Sequence, residues 1–159
     1  MFLRQGFIHK RLSEGTDAPA GAEYSEGDFT PELTFDTPGD FSVDYIVQSG
    51  HYTKIGNVVI LYITIVTSIF TWTTASGVLQ VTGAPFPCSS TVFNRGNLSW
   101  QGITKAGYTQ INPRMALGSD IIDFLACGSG QGLDLVQIAD TPVNGDIVLA
   151  IVHVYVVDP

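Results

Sequence analysis

The chain reads as an all-β domain, a jelly-roll-like antiparallel β-sandwich, and three observations predict it. From residue 29 onward, runs of β-branched and aromatic residues recur about every ten residues. Gly, Pro, Asn and Asp stand between those runs, where turns need them. Helical periodicity is missing: the best helical stretch, residues 119–126, is hemmed in by Gly118 and Gly128 and is too short to stand alone.

The elements follow in order. Residues 13–28 carry Gly, Ala, Pro, Ser, Thr and acidic residues with Tyr24 as their only aromatic, which is linker composition, so residues 1–28 are expected to be an arm and linker and residues 29–159 the domain. Strands are predicted at 31–35, 43–47, 51–55, 58–70, 78–82, 91–103, 108–117, 121–127, 134–139 and 147–157. Turns are expected at Thr37-Pro38-Gly39-Asp40, Ser49-Gly50, Gly56-Asn57, Gly83-Ala84-Pro85 and Gly128-Ser129-Gly130. Asn144-Gly145 is the sharpest hairpin signal. Many short strands without helices make a sandwich or barrel, and no fixed repeat points to a propeller or solenoid.

Composition narrows the function. A chain of 159 residues buries a core without staples. A net charge of −8 with seven Lys and Arg in total argues against nucleic acid, which is held by clustered cations. The run from Val58 to Phe70 is too short to span a bilayer and is broken by Thr64, Thr67 and Ser68, so no membrane insertion is expected. Nor do the first ten residues read as a secretion signal. Cys88 and Cys127 show neither metal-ligand spacing nor a disulfide framework, and whether they pair is left open. Asn97-Leu98-Ser99 matches a glycosylation sequon, of interest only in a eukaryotic secretory setting.

Two strands carry most of the information. Between Val58 and Phe70 one face bears Val59, Leu61, Ile63, Ile65 and Ile69, and the other Val58, Ile60, Tyr62, Val66 and Phe70. The 147–157 strand is apolar on both sides as well. A sandwich strand ordinarily keeps one polar face in water. Side chains worth roughly 1.5–3 kcal/mol each on burial call for a cover, which neighbouring copies, the chain's own segment 2–8 or its long loops could supply. Val58, Ile60, Tyr62, Val152, His153, Val154 and Tyr155 are the expected oligomer contacts.

Three strings, Phe29-Thr30-Pro31-Glu32-Leu33-Thr34-Phe35, Gly50-His51-Tyr52-Thr53-Lys54-Ile55-Gly56 with the apolar strand it feeds, and Gly83-Ala84-Pro85-Phe86, appear in that order. Together they resemble the C-terminal head domain of bacteriophage tail fibres and tailspikes. Phe29 stands where that motif frequently has Trp. The resemblance implies a homotrimer shaped like tumour necrosis factor, a place in the virion tail with assembly in the host cytoplasm, and either recognition of a host surface polysaccharide or lipopolysaccharide or a purely structural capping of the fibre shaft. Read physically, Gly50 and Gly56 would let the chain reverse at both ends of the 51–55 segment, with Tyr52 and Lys54 as framework.

Catalytic constellations are weak. His9, His51 and His153 form no triad pattern, and neither a nucleophile elbow nor a phosphate loop is present. Asp120 with Asp123, and Asp134 with Asp140, raise a glycosidase or calcium reading against the plainer one of solvated turn carboxylates. The chain is therefore read as a non-enzyme without cofactors or metals. Glycans need an aromatic platform beside amides and hydroxyls. Trp72 among Thr71, Thr73 and Thr74 is one candidate; Trp100 with Asn94, Arg95 and Asn97 is the other. Each tryptophan could instead cap the core.

Overall fold

The computed structural model describes residues 23–159. Ten strands are present among the described residues: β1 Tyr24–Phe29, β2 Glu32–Thr37, β3 Ser42–Ile55, β4 Val58–Thr71, β5 Ser76–Thr82, β6 Arg95–Gln101, β7 Gln110–Met115, β8 Ile122–Cys127, β9 Asp134–Leu135 and β10 Val148–Val156. One 3-10 turn, Ile138–Asp140, follows β9. They form a two-sheet antiparallel sandwich, as predicted. The first sheet runs β1-β3-β4-β10-β6 and the second β2-β5-β8-β7, with β9 attached to β8.

The spine of the first sheet is the β3–β4 hairpin, fourteen residues a side. It turns at Gly56-Asn57, where Gly56 takes φ +60°, a conformation that costs glycine nothing. β10 completes the centre by pairing with β4 on one side and β6 on the other, Ile151 lying opposite Ile63 and Leu98.

Alternation does the packing. Val59, Leu61, Ile63 and Ile65 of β4 and Leu149 and Ile151 of β10 point inward against Leu33, Phe35, Leu79, Val81, Ile122 and Phe124 of the second sheet. One end is closed by edge-to-face contacts among Phe35, Phe41 and Phe70, with centroids 4.9–6.0 Å apart.

Several expectations are corrected. The domain begins earlier than residue 29: residues 24–28, placed in the linker by composition, belong to the edge strand β1, paired with β3 from Tyr24 opposite Ile55 to Phe29 opposite Gly50. An edge strand with one wet face needs few apolar residues, which is why it looked like linker. Residues 1–22 of the predicted arm and linker, with His9 and the covering segment 2–8, lie outside the described residues.

Ser49-Gly50 is not a turn. Segments 43–47 and 51–55 are one strand, and Gly50 sits within it because the Phe29 ring fills the space of a side chain, 2.7 Å from where a Cβ would be. Asn144-Gly145 joins no hairpin, since β10 pairs with β4 and β6; Asn144 at φ +58° instead donates its amide to the Phe70 carbonyl. Irregular pairing between Asp44 and Val47 lets the parity of β4 slip, so Phe70 is buried and Ile69 exposed, the reverse of strict alternation.

Candidate functional site

The register of the first sheet fixes what its outer face presents. One row across the strands reads Asp28, His51, Tyr62, Val152, Asn97. The next reads Glu26, Thr53, Ile60, Val154, Arg95. The middle is apolar and the rims are polar. Tyr62 is 50% exposed, Val154 48% and Val152 42%, with Val58 beside them and Ile60 half-buried. None of these five is sealed by other described residues.

His153 and Tyr155 do not belong to that face. Both point inward and are buried, on the same side of β10 as Leu149 and Ile151, so their assignment as oligomer contacts is corrected. The Tyr155 hydroxyl donates to the Phe86 carbonyl at 2.9 Å, and burial pushes its pKa upward. His153 Nε2 lies 2.8 Å from Asn94 Oδ1, while Nδ1 is buried without a partner among the described residues. Burial, helped by the nearby Arg95 charge, lowers its pKa to about 4, so the ring is neutral near pH 7.

The five expected glycan residues do not converge. Asn94 is buried, accepting from the Met115 amide at 2.8 Å and donating to the Met115 carbonyl at 3.2 Å, so it is core framework and its assignment to a glycan site is corrected. Arg95 and Asn97 lie on the outer face of β6, beside Val154 and Val152 rather than beside either tryptophan. Trp72 is half-buried against the core with its indole N–H enclosed and without a partner among the described residues, which makes it a cap and not a platform. Its loop is tied down by Asp40, whose carboxylate accepts from the backbone and hydroxyls of Thr73 and Thr74 and is held well below the usual carboxylate range by those bonds.

Trp100 is different. It too packs on the core, its indole N–H donating to the Ile103 carbonyl at 3.2 Å, but its remaining edge walls a cleft of about 120 Å³ shared with Lys105, Tyr108 and Gln110. Thr104 and Thr109 add exposed hydroxyls. Lys105 lies 5.8 Å from the Tyr108 ring centre and is anchored by Asp140 at 2.9 Å and Asp134 at 3.0 Å. Burial alone would lower the lysine pKa, but the two carboxylates outweigh it and hold the ammonium above its ordinary value. Two of its three N–H groups suffice for those carboxylates, leaving one to donate elsewhere.

Composition had suggested Asp134 and Asp140 as a carboxylate pair; here they are counter-ions to one lysine. Asp123, the other suggestion, faces Arg114 at 3.5 Å, with burial raising its pKa against that attraction. No group of three metal-ligating side chains occurs among the described residues. Cys88 and Cys127 are both free thiols. Tyr108 and Lys105 were missed because nothing in a Gly- and Thr-rich segment signals that β7 and the 134–140 segment will wall it in.

A larger cleft, about 690 Å³, opens at the other end of the sandwich beside the Gly56 turn. Its lysine, Lys54, is spent on the Gly56 carbonyl at 2.7 Å and lies 6.0 Å from the Phe86 ring centre. Tyr52 meets Phe86 edge-on at 5.2 Å. These contacts brace the turn, and Glu23, Asn57 and Asp158 complete the polar part of the lining.

No protein-family profile matches the chain, and no curated protein matches its sequence. Among solved structures it is similar to the crystal structure of the Dettilon tailspike protein, with a TM-score of 0.62 and 17% identity over 83% of this chain and 24% of that one. The chain thus spans about a quarter of that protein's length, and at this identity the likeness carries the fold alone.

Proposed function

We propose that this domain is a module of a phage tailspike or tail fibre, a virion component that assembles as a homotrimer and binds a host surface glycan without catalysing a reaction on it. The observation that carries the reading is the outer face of the first sheet, where Val58, Ile60, Tyr62, Val152 and Val154 form an apolar stripe between polar rims. An exposed apolar patch rimmed by polar groups is the mark of an interaction surface. The likeness in fold to a tailspike domain supports the same placement.

For the glycan, the Trp100 and Tyr108 cleft supplies aromatic edge and face for C–H contacts, with Gln110, Thr104, Thr109 and the third N–H of Lys105 for hydroxyls. Its volume is well under that of a drug-sized pocket, so it takes a single sugar ring. Host lipopolysaccharide or capsule immobilised on a column tests this: the protein is retained, and Tyr108→Ala elutes in the void while light scattering still gives the trimer mass.

A second reading, a structural cap on the fibre shaft, is favoured by the half-burial of both Trp72 and Trp100, which spends the large aromatics on packing. It expects a trimer with no retention on either polysaccharide.

A further inference from the structure

The outer face of the first sheet is charged oppositely at its two rims. Glu26 and Asp28 lie on β1, and Arg95 lies on β6. Glu26 and Arg95 occupy the same row, through Thr53, Ile60 and Val154, and Asp28 is one row away. Four interstrand steps separate the rims, roughly 19 Å at about 4.8 Å per step. The charges cannot meet within one chain.

Among the described residues Arg95 has no carboxylate partner: its Nη1 donates to the Asn94 carbonyl at 2.7 Å, and no ion pair includes it. Glu26 accepts from the Tyr24 hydroxyl, and Asp28 meets His51 at 2.8 Å, with the carboxylate exposed.

Symmetry decides which rims meet. When copies are related by an axis parallel to the strands, the β1 rim of one faces the β6 rim of the next at the same height, and the apolar stripes turn toward the axis. A two-fold axis across the strands, or perpendicular to the sheet, sets like rims together. Two copies of Glu26 and Asp28 would then face each other in a chain of net charge −8, an arrangement that like-charge repulsion disfavours.

We infer that copies of this chain associate about an axis parallel to the strands of the first sheet, Arg95 of one copy pairing with Glu26 and Asp28 of the next. This arrangement rests on the proposed self-association and adds its direction and its residues. The ion pairs fix orientation and register, while the stripe of Tyr62, Val152 and Val154 supplies the burial.

Two measurements test it. In a Cys127→Ser background, with Cys88 buried, a chain carrying both Glu26→Cys and Arg95→Cys is treated with a short bismaleimide. The expected result is a covalent closed ring whose mass equals the oligomer mass from light scattering, while either single variant stays uncrosslinked and a mixture of the two gives dimers. Efficient dimers from Glu26→Cys alone overturn the arrangement. In parallel, Arg95→Glu raises the concentration at half-assembly by about tenfold or more, and adding Glu26→Arg and Asp28→Arg to the same chain restores it. An intact oligomer indifferent to these reversals overturns the rim pairing alone; a folded monomer at all concentrations overturns the self-association reading together with it.

Discussion

Asn94 and His153 are locked to each other across 2.8 Å of buried space, the Nε2–H of the imidazole donating to the amide oxygen that also receives the Met115 N–H. This contact ties β10 to the segment entering β6 and to the end of β7 at once. It leaves Nδ1 as a bare lone pair, closed in by Gly96, whose absent Cβ would lie 2.4 Å from that nitrogen. A proton on Nδ1 would be a buried cation with no anion beside it among the described residues.

Stability should therefore fall on acidification. In the unfolded chain His153 titrates near 6.5 and in the folded one at about 4. Between those values the unfolded state takes the proton and the folded state does not, so the contribution is complete above about pH 6.5 and is lost as pH falls toward 4. Its full size is about 3 kcal/mol. Urea unfolding at pH 7 and at pH 4.5 should show a smaller loss for His153→Gln than for the parent.

Gly50→Ala should destabilise the edge of the first sheet by about 1–3 kcal/mol, because its methyl group would occupy the space of the Phe29 ring. Denaturant midpoints measure the loss, and combining the change with Phe29→Ala should cost less than the sum of the two single variants.

Tyr62→Ser and Val152→Asp lie on the exposed stripe, outside the core. Each should leave the circular dichroism spectrum unchanged and shift the light-scattering mass toward the monomer, with Val152→Asp the stronger because it places a carboxylate among apolar neighbours. Retention of the oligomer in both would show that another surface holds the copies together.

Asp40→Ala removes the acceptor of the Thr73 and Thr74 amides. Exchange of those two amide hydrogens should accelerate by about tenfold or more, while amides at the centre of β4 keep their protection.

The sequence made the sandwich and most of its strands legible because alternation is a local property: Val59, Leu61, Ile63 and Ile65 declare one face whatever lies around them. The same rule, applied strictly, puts His153 and Tyr155 inside with Leu149 and Ile151 and not among the outward valines. What failed depended on distant partners. Gly50 carries turn chemistry in its neighbourhood, but the Phe29 ring, twenty-one positions earlier, makes it a strand glycine. The slip that inverts Ile69 and Phe70 shows only against β3, where the pairing skips Ser68 of β4 and then Ile46 of β3. At the candidate site, Trp100 was visible as a large aromatic, whereas Tyr108 and Lys105 join it only because Asp134 and Asp140 anchor the lysine from across the chain.

The slot between β4 and β6 is filled by residues 148–156 and by nothing earlier. While a ribosome is still making those nine residues, β4 shows a raw backbone edge, and the stripe carried by Val152 and Val154 does not yet exist. The outer apolar face, begun by Ile60 and Tyr62, is therefore complete only once synthesis has passed residue 156.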